Sequence, residues 1–544
     1  MKTPAARRLD PKRVFERIPS RTMGLVRLAG ALPAFFRDRV SVERAENEIK
    51  RALAGRDSIF LDFLRAHVYG RAASPYLKLL KHAGCEFSDL EAEIGRHGVE
   101  GALARLAAAG VYLTAAEMKG KTDVVRGGLS FRVFPEDLID PAPTAGFLTH
   151  SGGTNNRPIR LVRPLSIIAD NVAARGVFLE AHGLMSAAQA VHHPILPGHG
   201  VSTIMSLAKL GIRTERWFAR TMPAHNALHA AHSYAATYLT VAFGRCFGPG
   251  FPRPEFGDGD DTARILAWII EKRRAGTLAA VTTGPSAAFA VARAAQAAGA
   301  SLEGATFVVS GEPFTEAKAK MLAQVGARVA TRYAFSGGGN IGFACAEPLH
   351  PDEIHVNQHT TAIVERPTPI PGAPGIRPFL FTTLDSSWPL LNVENGDYGI
   401  LETRDCGCAL GRVGLRLHLH RIRSYEKFTS EGMNYFYGDL YEFFESALPA
   451  EFGGASGDYQ LVEEEDDNGQ TRLTLRADPR IGALDEAKLL ARLREELGRR
   501  SWGHEFQARI WDRAGTLRIK REPPRASAMG KILPLQMHTA KASH

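Results

Sequence analysis

LAAVTTGPSAAFAVARAAQAAGASLEGATFVVSGEPFTEAKAKMLAQVGARVATRY, residues 278–333, is the stretch from which the fold class follows. Leu278 to Thr282, Ala305 to Val309 and Arg328 to Tyr333 are short, largely apolar runs that contain β-branched residues and read as strands. Between them, Ser286 to Ala298 and Thr315 to Val325 are Ala-rich and long enough for helices. Strands alternating with helices imply an α/β fold with parallel sheets and helices on their faces.

Upstream, to about residue 140, apolar residues recur at helical spacing, as in Val99 to Ala109. The apolar piece Leu25 to Phe36 is broken by Arg27 and Pro33 and is too short to span a bilayer. An amphipathic helix packed on the body is expected there; peripheral membrane contact through Leu25, Val26, Leu28, Phe35 and Phe36 is the alternative. Downstream of Arg421 the texture changes again. Asn434 to Ala447 reads as a helix. Tyr459 to Val462 and Thr471 to Leu475 flank Asn468-Gly469, a hairpin signal. An amphipathic helix, Asp485 to Arg499, precedes candidate strands Phe506 to Trp511 and Thr516 to Lys520. The expected organisation is a helical N-terminal region, 1–140, an α/β core, 141–422, and a small α+β domain, 426–544.

A chain of 544 residues exceeds one hydrophobic core, so more than one domain is expected. Its 44% hydrophobic and 23% charged content argues against disorder. The net charge of +9 is spread along the chain and interleaved with acids, so nucleic-acid binding is not expected. Five cysteines make no disulfide framework and fit a reducing cytoplasm.

Five segments carry candidate chemistry. Ser151-Gly152-Gly153-Thr154-Asn155-Asn156-Arg157-Pro158 has the small and hydroxylic residues that let backbone N–H groups approach a phosphate, beside a cation. A polar turn between two strands would read the same. Gly311-Glu312-Pro313 lies between a strand and a helix, where ligands of open α/β sheets gather. Tyr333-Ala334-Phe335-Ser336-Gly337-Gly338-Gly339 ends in glycines that can line a ligand. Gly337 to Gly342 formally match G-x-G-x-x-G, but the following residues do not open a helix, so this is not a dinucleotide fingerprint. Asn395-Gly396-Asp397 offers a carboxylate that can accept from two vicinal hydroxyls. Ser527 to Lys531 could insert a point charge into a site.

In order and spacing these segments resemble the adenylate-forming superfamily, within it the phenylacetate–CoA ligase branch, over nearly the whole chain. The branch's S-S-G-T-T-G-K-P aligns on Ser151 to Pro158, its Gly-Glu-Pro on Gly311 to Pro313, and its T-G-D on Asn395 to Asp397. Its G-V-N-V-F-P resembles Gly432 to Tyr437, which places the pre-hinge Arg at Arg423 and the hinge at Tyr425. The resemblance implies the adenylate-forming enzyme fold with a mobile small domain. It also implies ATP and Mg²⁺, activation of a small carboxylic acid as an acyl-adenylate, and transfer to a thiol, with CoA as the default acceptor. A carrier protein or an amine is the alternative acceptor; a non-catalytic nucleotide-binding homologue is the alternative class. The implied catalytic residues are Lys531, Arg157 and Thr154. Nucleotide contacts fall on Ser151, Gly152, Gly153, Thr154, Gly311, Glu312, Pro313, Tyr333, Ala334, Phe335, Ser336, Asp397 and Arg423. An acyl pocket is implied at Gly284, Phe289, Gly337 and Gly338. The chain departs from the branch at Gly337, where a Mg²⁺-associated Glu is usual, at Arg157 in place of Lys, and at Tyr425 in place of Asp. Cys345, His355, Cys406 and Cys408 could close a tetrahedral structural zinc site, as in some members of the branch, with His350 competing for the fourth place.

Overall fold

The computed structural model describes residues 21–120, 122–138, 145–151, 159–219, 227–257, 261–312, 314, 316–335, 338–369, 377–386, 388–424, 427–430, 433–436, 443–455, 457–465, 471–499, 516–525 and 535–536. The strands and helices read from residues 278–333 are present. Strands Ala279–Thr283, Ala305–Val309 and Arg328–Phe335 enclose helices Pro285–Ala297 and Glu316–Gln324.

These strands belong to a ten-stranded sheet. On one side of Arg328–Phe335 all neighbours run parallel: Ala305–Val309, Ala279–Thr283, Ala188–His192, Thr214–Ala219 and the edge pair Glu255–Phe256. On the other side all run antiparallel: Gly339–Ala344, Ile354–Val356, Leu417–Ser424 and Asp397–Thr403. The parallel strands Ala188–His192, Ala279–Thr283 and Ala305–Val309 are buried along their whole length, as a sheet with both faces covered requires.

The antiparallel half alternates. Ile341, Ile354, Val356 and Leu419 face a small core shared with Ile363, Phe379 and Phe381 of a three-stranded sheet. Phe343, from the opposite face, packs against Phe178 of helix Val172–Ala181, ring centroids 5.1 Å apart. This half curls so far that Asp397, on the last strand, touches Tyr333, on the first.

The N-terminal region is helical as expected but also holds a hairpin, Val124–Arg126 with Leu129–Phe131. Val99 to Ala108 lies within helix Phe87–Ala108. Helix Arg21–Arg37 covers the apolar piece, and Leu28, Leu32 and Phe36 are buried in the main core. Peripheral membrane contact is thereby corrected for Leu28, Phe35 and Phe36, which face protein; Val26 is 62% exposed. Among the described residues no helix is long and apolar enough to cross a membrane.

Of the expected helix Asn434 to Ala447, the start is a strand instead, Met433–Phe436 paired with Lys427–Ser430, and the end, Phe443–Ala447, is a π-turn that leads into helix Leu448–Phe452; residues 437–442 lie outside the described residues. Tyr435 and Phe436 favour an extended, paired backbone, and a ready partner strand lies just upstream. Farther on, Tyr459–Glu465 and Thr471–Ala477 pair as expected, joined by Leu517–Lys520 and Leu535–Gln536. Leu489, Leu493 and Leu497 of helix Glu486–Arg499 share a separate core with Leu461, Leu473 and Leu475. The expected strand Phe506 to Trp511 and the Asn468-Gly469 turn lie outside the described residues.

Burial of the first helix yields a direct test. Phe36→Ala is expected to cost about 3–5 kcal/mol in urea denaturation, whereas exposed Val26→Ala should stay within about 0.5 kcal/mol.

Candidate functional site

Parallel strands place their carboxyl ends on one edge, where a ligand can meet loops from several of them. Here that edge carries His192, Thr283, Val309 and Phe335 as the last residues of their strands. It is more polar than the strands beneath it. His192 Nδ1 and Thr283 Oγ1 are 2.9 Å apart, and His192 Nε2 is 3.5 Å from Asp261. Asp261 accepts from Arg264 at 2.5 Å. Burial pushes the Asp261 carboxyl up, but the bonds from His192 and Arg264 outweigh it and leave the group below its ordinary value. In the Gly-Glu-Pro loop, Ser286 donates to Glu312. A Cβ on Gly284 would lie 3.1 Å from Glu312 Oε1, so the two loops approach closely here. Pro313 lies outside the described residues.

The concave side of the curled sheet carries a closed triangle. Tyr333 donates to Asp397 Oδ2 at 2.6 Å, and Asn395 Nδ2 donates to both the Tyr333 oxygen and Asp397 Oδ2 at 2.8 Å. The Asp397 backbone N–H closes it on Asn395 Oδ1 at 2.9 Å. Burial and the Asp397 carboxylate hold Tyr333 well above its ordinary value, so it remains a donor. Such short, charge-assisted bonds fix the carboxylate before any ligand arrives.

Arg423 is not brought to this triangle. The ladder pairs Asp397 with Ser424 and Tyr398 with Arg423, so alternation puts Arg423 on the opposite face. There it lies 3.3 Å from Asp352. Asp352 also accepts from the backbone N–H groups of Arg421 and Ile422 at 3.0 and 3.1 Å, which fixes a bulge where Arg421 has φ 53°.

The glycine wall is a tight hairpin. Gly339 has φ 70°, and a Cβ on Gly338 would strike the Phe335 ring. Asn171 accepts from Asn340 N–H across this turn at 3.2 Å. Gly338, Gly339, Asp170, Asp385, Thr360 and Ser386 are among the residues that line a cleft beside it. Asp170 keeps contact with solvent yet sits deep among protein atoms; burial and the neighbouring Asp385 push its carboxyl up to about 7. Phe289 is buried on helix Pro285–Ala297 and is not among the residues that line this cleft. Ala334 lies on the Arg328–Phe335 strand. Ser151 ends strand Gly146–Ser151, which pairs with Ile159–Pro164. Gly152, Gly153, Thr154, Arg157, Ser336, Gly337, Tyr425 and Lys531 lie outside the described residues.

The outer face of the antiparallel half carries a second constellation. Cys345 follows Gly339–Ala344, His355 lies on Ile354–Val356, and Cys406 and Cys408 precede Leu417–Ser424. Sulfur separations are 3.8 Å for Cys345–Cys406 and 3.5 Å for Cys406–Cys408. His355 Nε2 lies 3.1 Å from Cys408 Sγ and 3.4 Å from Cys406 Sγ. A tetrahedral zinc would set sulfurs about 3.8 Å apart and sulfur to nitrogen about 3.6 Å. His355 Nδ1 lies 2.7 Å from the Leu415 carbonyl, which selects the tautomer with Nε2 free to ligate. A Cβ on Gly411 would fall 2.9 Å from Cys406 Sγ, so only glycine leaves the sulfur room. The hydrogen bond from Cys345, aided by His355, draws the Cys408 thiol well below its ordinary value; its counterpart, with burial, drives Cys345 up. His350 stacks on His420 at 4.0 Å and is not part of the group.

Sequence reading missed Asn395 as a side-chain partner, and Asp352, His192, Thr283, Asp261 and Asp170 altogether. Alternation of Leu417-His418-Leu419-His420 was a visible signal that one face of that strand is polar.

No family model matches the sequence, and no curated protein matches it. Among solved structures the chain is similar to a malonyl-CoA ligase with methylmalonyl-CoA and AMP bound, at 14% identity, covering 70% of this chain and 71% of that one, TM-score 0.37. It is similar to o-succinylbenzoate CoA synthetase of Bacillus subtilis at 12% identity, covering 71% and 67%, TM-score 0.38. An amide bond synthetase of Marinactinospora thermotolerans aligns at 12% identity over 94% and 98%, TM-score 0.31. At overlaps of this extent, the chemistry of this chain has to be read from its own side chains.

Asp170 supplies a pH test. Its folded value near 7 exceeds the ordinary 3.8, so the folded state holds an extra proton between them and ionisation costs stability above about pH 7. Asp170→Asn is expected to raise Tm at about pH 8, with the gain fading as pH falls toward about 4.

Proposed function

We propose that the chain is an adenylate-forming ligase of the phenylacetate–CoA ligase-like branch, which activates a carboxylic acid with ATP and passes the acyl group to a thiol, with CoA as acceptor. The observation that carries the reading is the Tyr333–Asn395–Asp397 triangle. It fixes a carboxylate at the T-G-D position of the resemblance. A buried carboxylate held rigidly can accept from the two hydroxyls of a ribose.

In the first half-reaction the substrate carboxylate attacks the α-phosphorus of ATP and pyrophosphate leaves with the bonding pair. Such a displacement asks the protein for position and charge rather than covalent help. Asp397 orients the ribose, and the loop at Gly311-Glu312 borders the base. The amides of 151–156, Thr154, Arg157 and Lys531 meet the developing negative charge. Mg²⁺ enters with ATP and offsets phosphate charge. Rotation of the C-terminal unit, 426–544, about Tyr425 then withdraws Lys531 and admits the acceptor. Asp352 holds the bulge just ahead of that hinge and, in this arrangement, retains Arg423.

The same reading assigns a structural zinc to Cys345, His355, Cys406 and Cys408. The four donors form a closed set, so the ion would tie strands together and leave no open position for substrate.

ATP–pyrophosphate exchange across a panel of aryl and alkyl acids tests the activity. Exchange with one acid class, reduced about 100-fold or more by Lys531→Ala, is expected. Nucleotide binding with no exchange for any acid would favour the non-catalytic homologue. Metal analysis should find one zinc per chain. Cys408→Ser should lose it and lower Tm by several degrees, while zinc-free wild type would remove the metal assignment.

A further inference from the structure

Three arginines lack a carboxylate partner among the described residues. Arg163 is on strand Ile159–Pro164, Arg175 on helix Val172–Ala181 and Arg332 on strand Arg328–Phe335. Their hydrogen bonds go to neutral groups only. Arg163 Nη1 is 3.2 Å from His199 Nδ1. Arg332 Nη2 donates to Ser310 Oγ at 2.9 Å, while its buried Nε has no partner. Arg175, 3% exposed, reaches only the Thr203 carbonyl at 3.4 Å. Among the described residues none of the three makes an ion pair.

Each arginine is near enough to repel the next. Burial, and then Arg332, lowers Arg175; burial, and then Arg163, lowers Arg332. Although His199 keeps exposed surface, its depth among protein atoms, then Arg163 and Arg332, lowers its imidazole below the ordinary value. Guanidinium groups remain charged through such shifts. A buried cation without a counter-charge is costly; Arg175 is buried, and Arg163 and Arg332 beside it are half-buried. His199 stands at the N-terminal end of helix Gly200–Lys209 and is exposed, so solvent reaches the row on that side.

We propose that Arg163, Arg175, Arg332 and His199 bind a second anionic group of the substrate, a carboxylate or phosphate, so that the acid activated is a dianion. The proposal rests on the acid-activation reading for the word substrate, but the anion site stands on the arginines alone. Alternation along Arg328–Phe335 favours the acid over ATP as the source of the anion. Tyr333 faces Asp397 on the concave side, so Arg332 faces the other side, toward the helices that carry Arg175 and His199. The nucleotide lies with Tyr333 in this reading, and the far end of the acid lies with Arg332.

Matched acids test it: butanoate against succinate, and benzoate against terephthalate, in pyrophosphate exchange with wild type and Arg332→Met. Wild type is expected to favour the diacids by about 10- to 100-fold in kcat/KM, the range of one or two charge-assisted bonds. Arg332→Met should lose that preference with little change in KM for ATP. Preference for the monoacids would overturn the proposal. A variant that raises KM for ATP equally with both acids would reassign the anion to the pyrophosphate and overturn it as well. Thermal shift gives a second reading without turnover. Arg332→Met should melt higher than wild type when no anion is present, because an uncompensated charge is gone. Succinate or terephthalate alone should raise Tm of wild type and not of the variant. Should wild type exchange with no acid yet respond in this way, the acid-activation reading falls and the anion site stands. Lower melting of the variant together with no shift by either diacid would sink the site itself.

Discussion

The fold turns on one hairpin, where Arg328–Phe335 meets Gly339–Ala344 and the ten-stranded sheet changes from parallel to antiparallel. A parallel neighbour needs a crossover element, but three residues between these strands allow only an antiparallel return. Everything before the hairpin therefore ends on a common carboxyl edge. Everything after it is built from short antiparallel pairs free to curl. The curl returns Asp397 to Tyr333, and without it the two would lie several strands apart. The glycines at the turn follow from the same constraint, since Gly339 needs a positive φ and Gly338 packs on Phe335.

Curling a sheet of short strands has a cost in pairing. Ile354–Val356 is three residues long and shares only two paired positions with Leu417–Ser424. The Cys345–His355–Cys406–Cys408 group sits on this weak point, with side chains from three successive segments of the antiparallel half. Two-residue alternation sends His355 and His418 outward, while Ile354 and Leu419 fill the small core. The same alternation separates Asp397 from Arg423. One geometric rule thus assigns Asp397 to the inside and both the cysteine cluster and Asp352 to the outside.

Much of this was legible in the sequence, for identifiable reasons. The strands and helices of 278–333 are regular and buried, so local pattern and tertiary demand agree. The cysteine cluster was legible because few residue types bind zinc, although spacing could not choose between His350 and His355. The helix expected over Asn434 to Ala447 was placed too early, because pairing with Lys427–Ser430 draws 434–436 into a strand. Contacts between distant segments were invisible: Asp352 with Arg421 lies 69 residues off, and His192 with Thr283 lies 91. Arg332 looked like an ordinary strand residue, because a cation gives no sign in the sequence of whether an acid will be near it.

Polar burial separates the carboxyl edge from the rest of the sheet. Leaving a buried donor or acceptor unpaired costs about 1–3 kcal/mol, and along most of this edge the groups pair with one another. Thr283 meets His192, His192 faces Asp261, Asp261 holds Arg264, and Tyr333 and Asn395 hold Asp397. Against that background the arginine row stands out, because its members compensate none of one another's charge. Pairing fixes groups that must already be in place when a ligand arrives. An uncompensated row has the opposite character: the charge it lacks is the contribution left for the ligand.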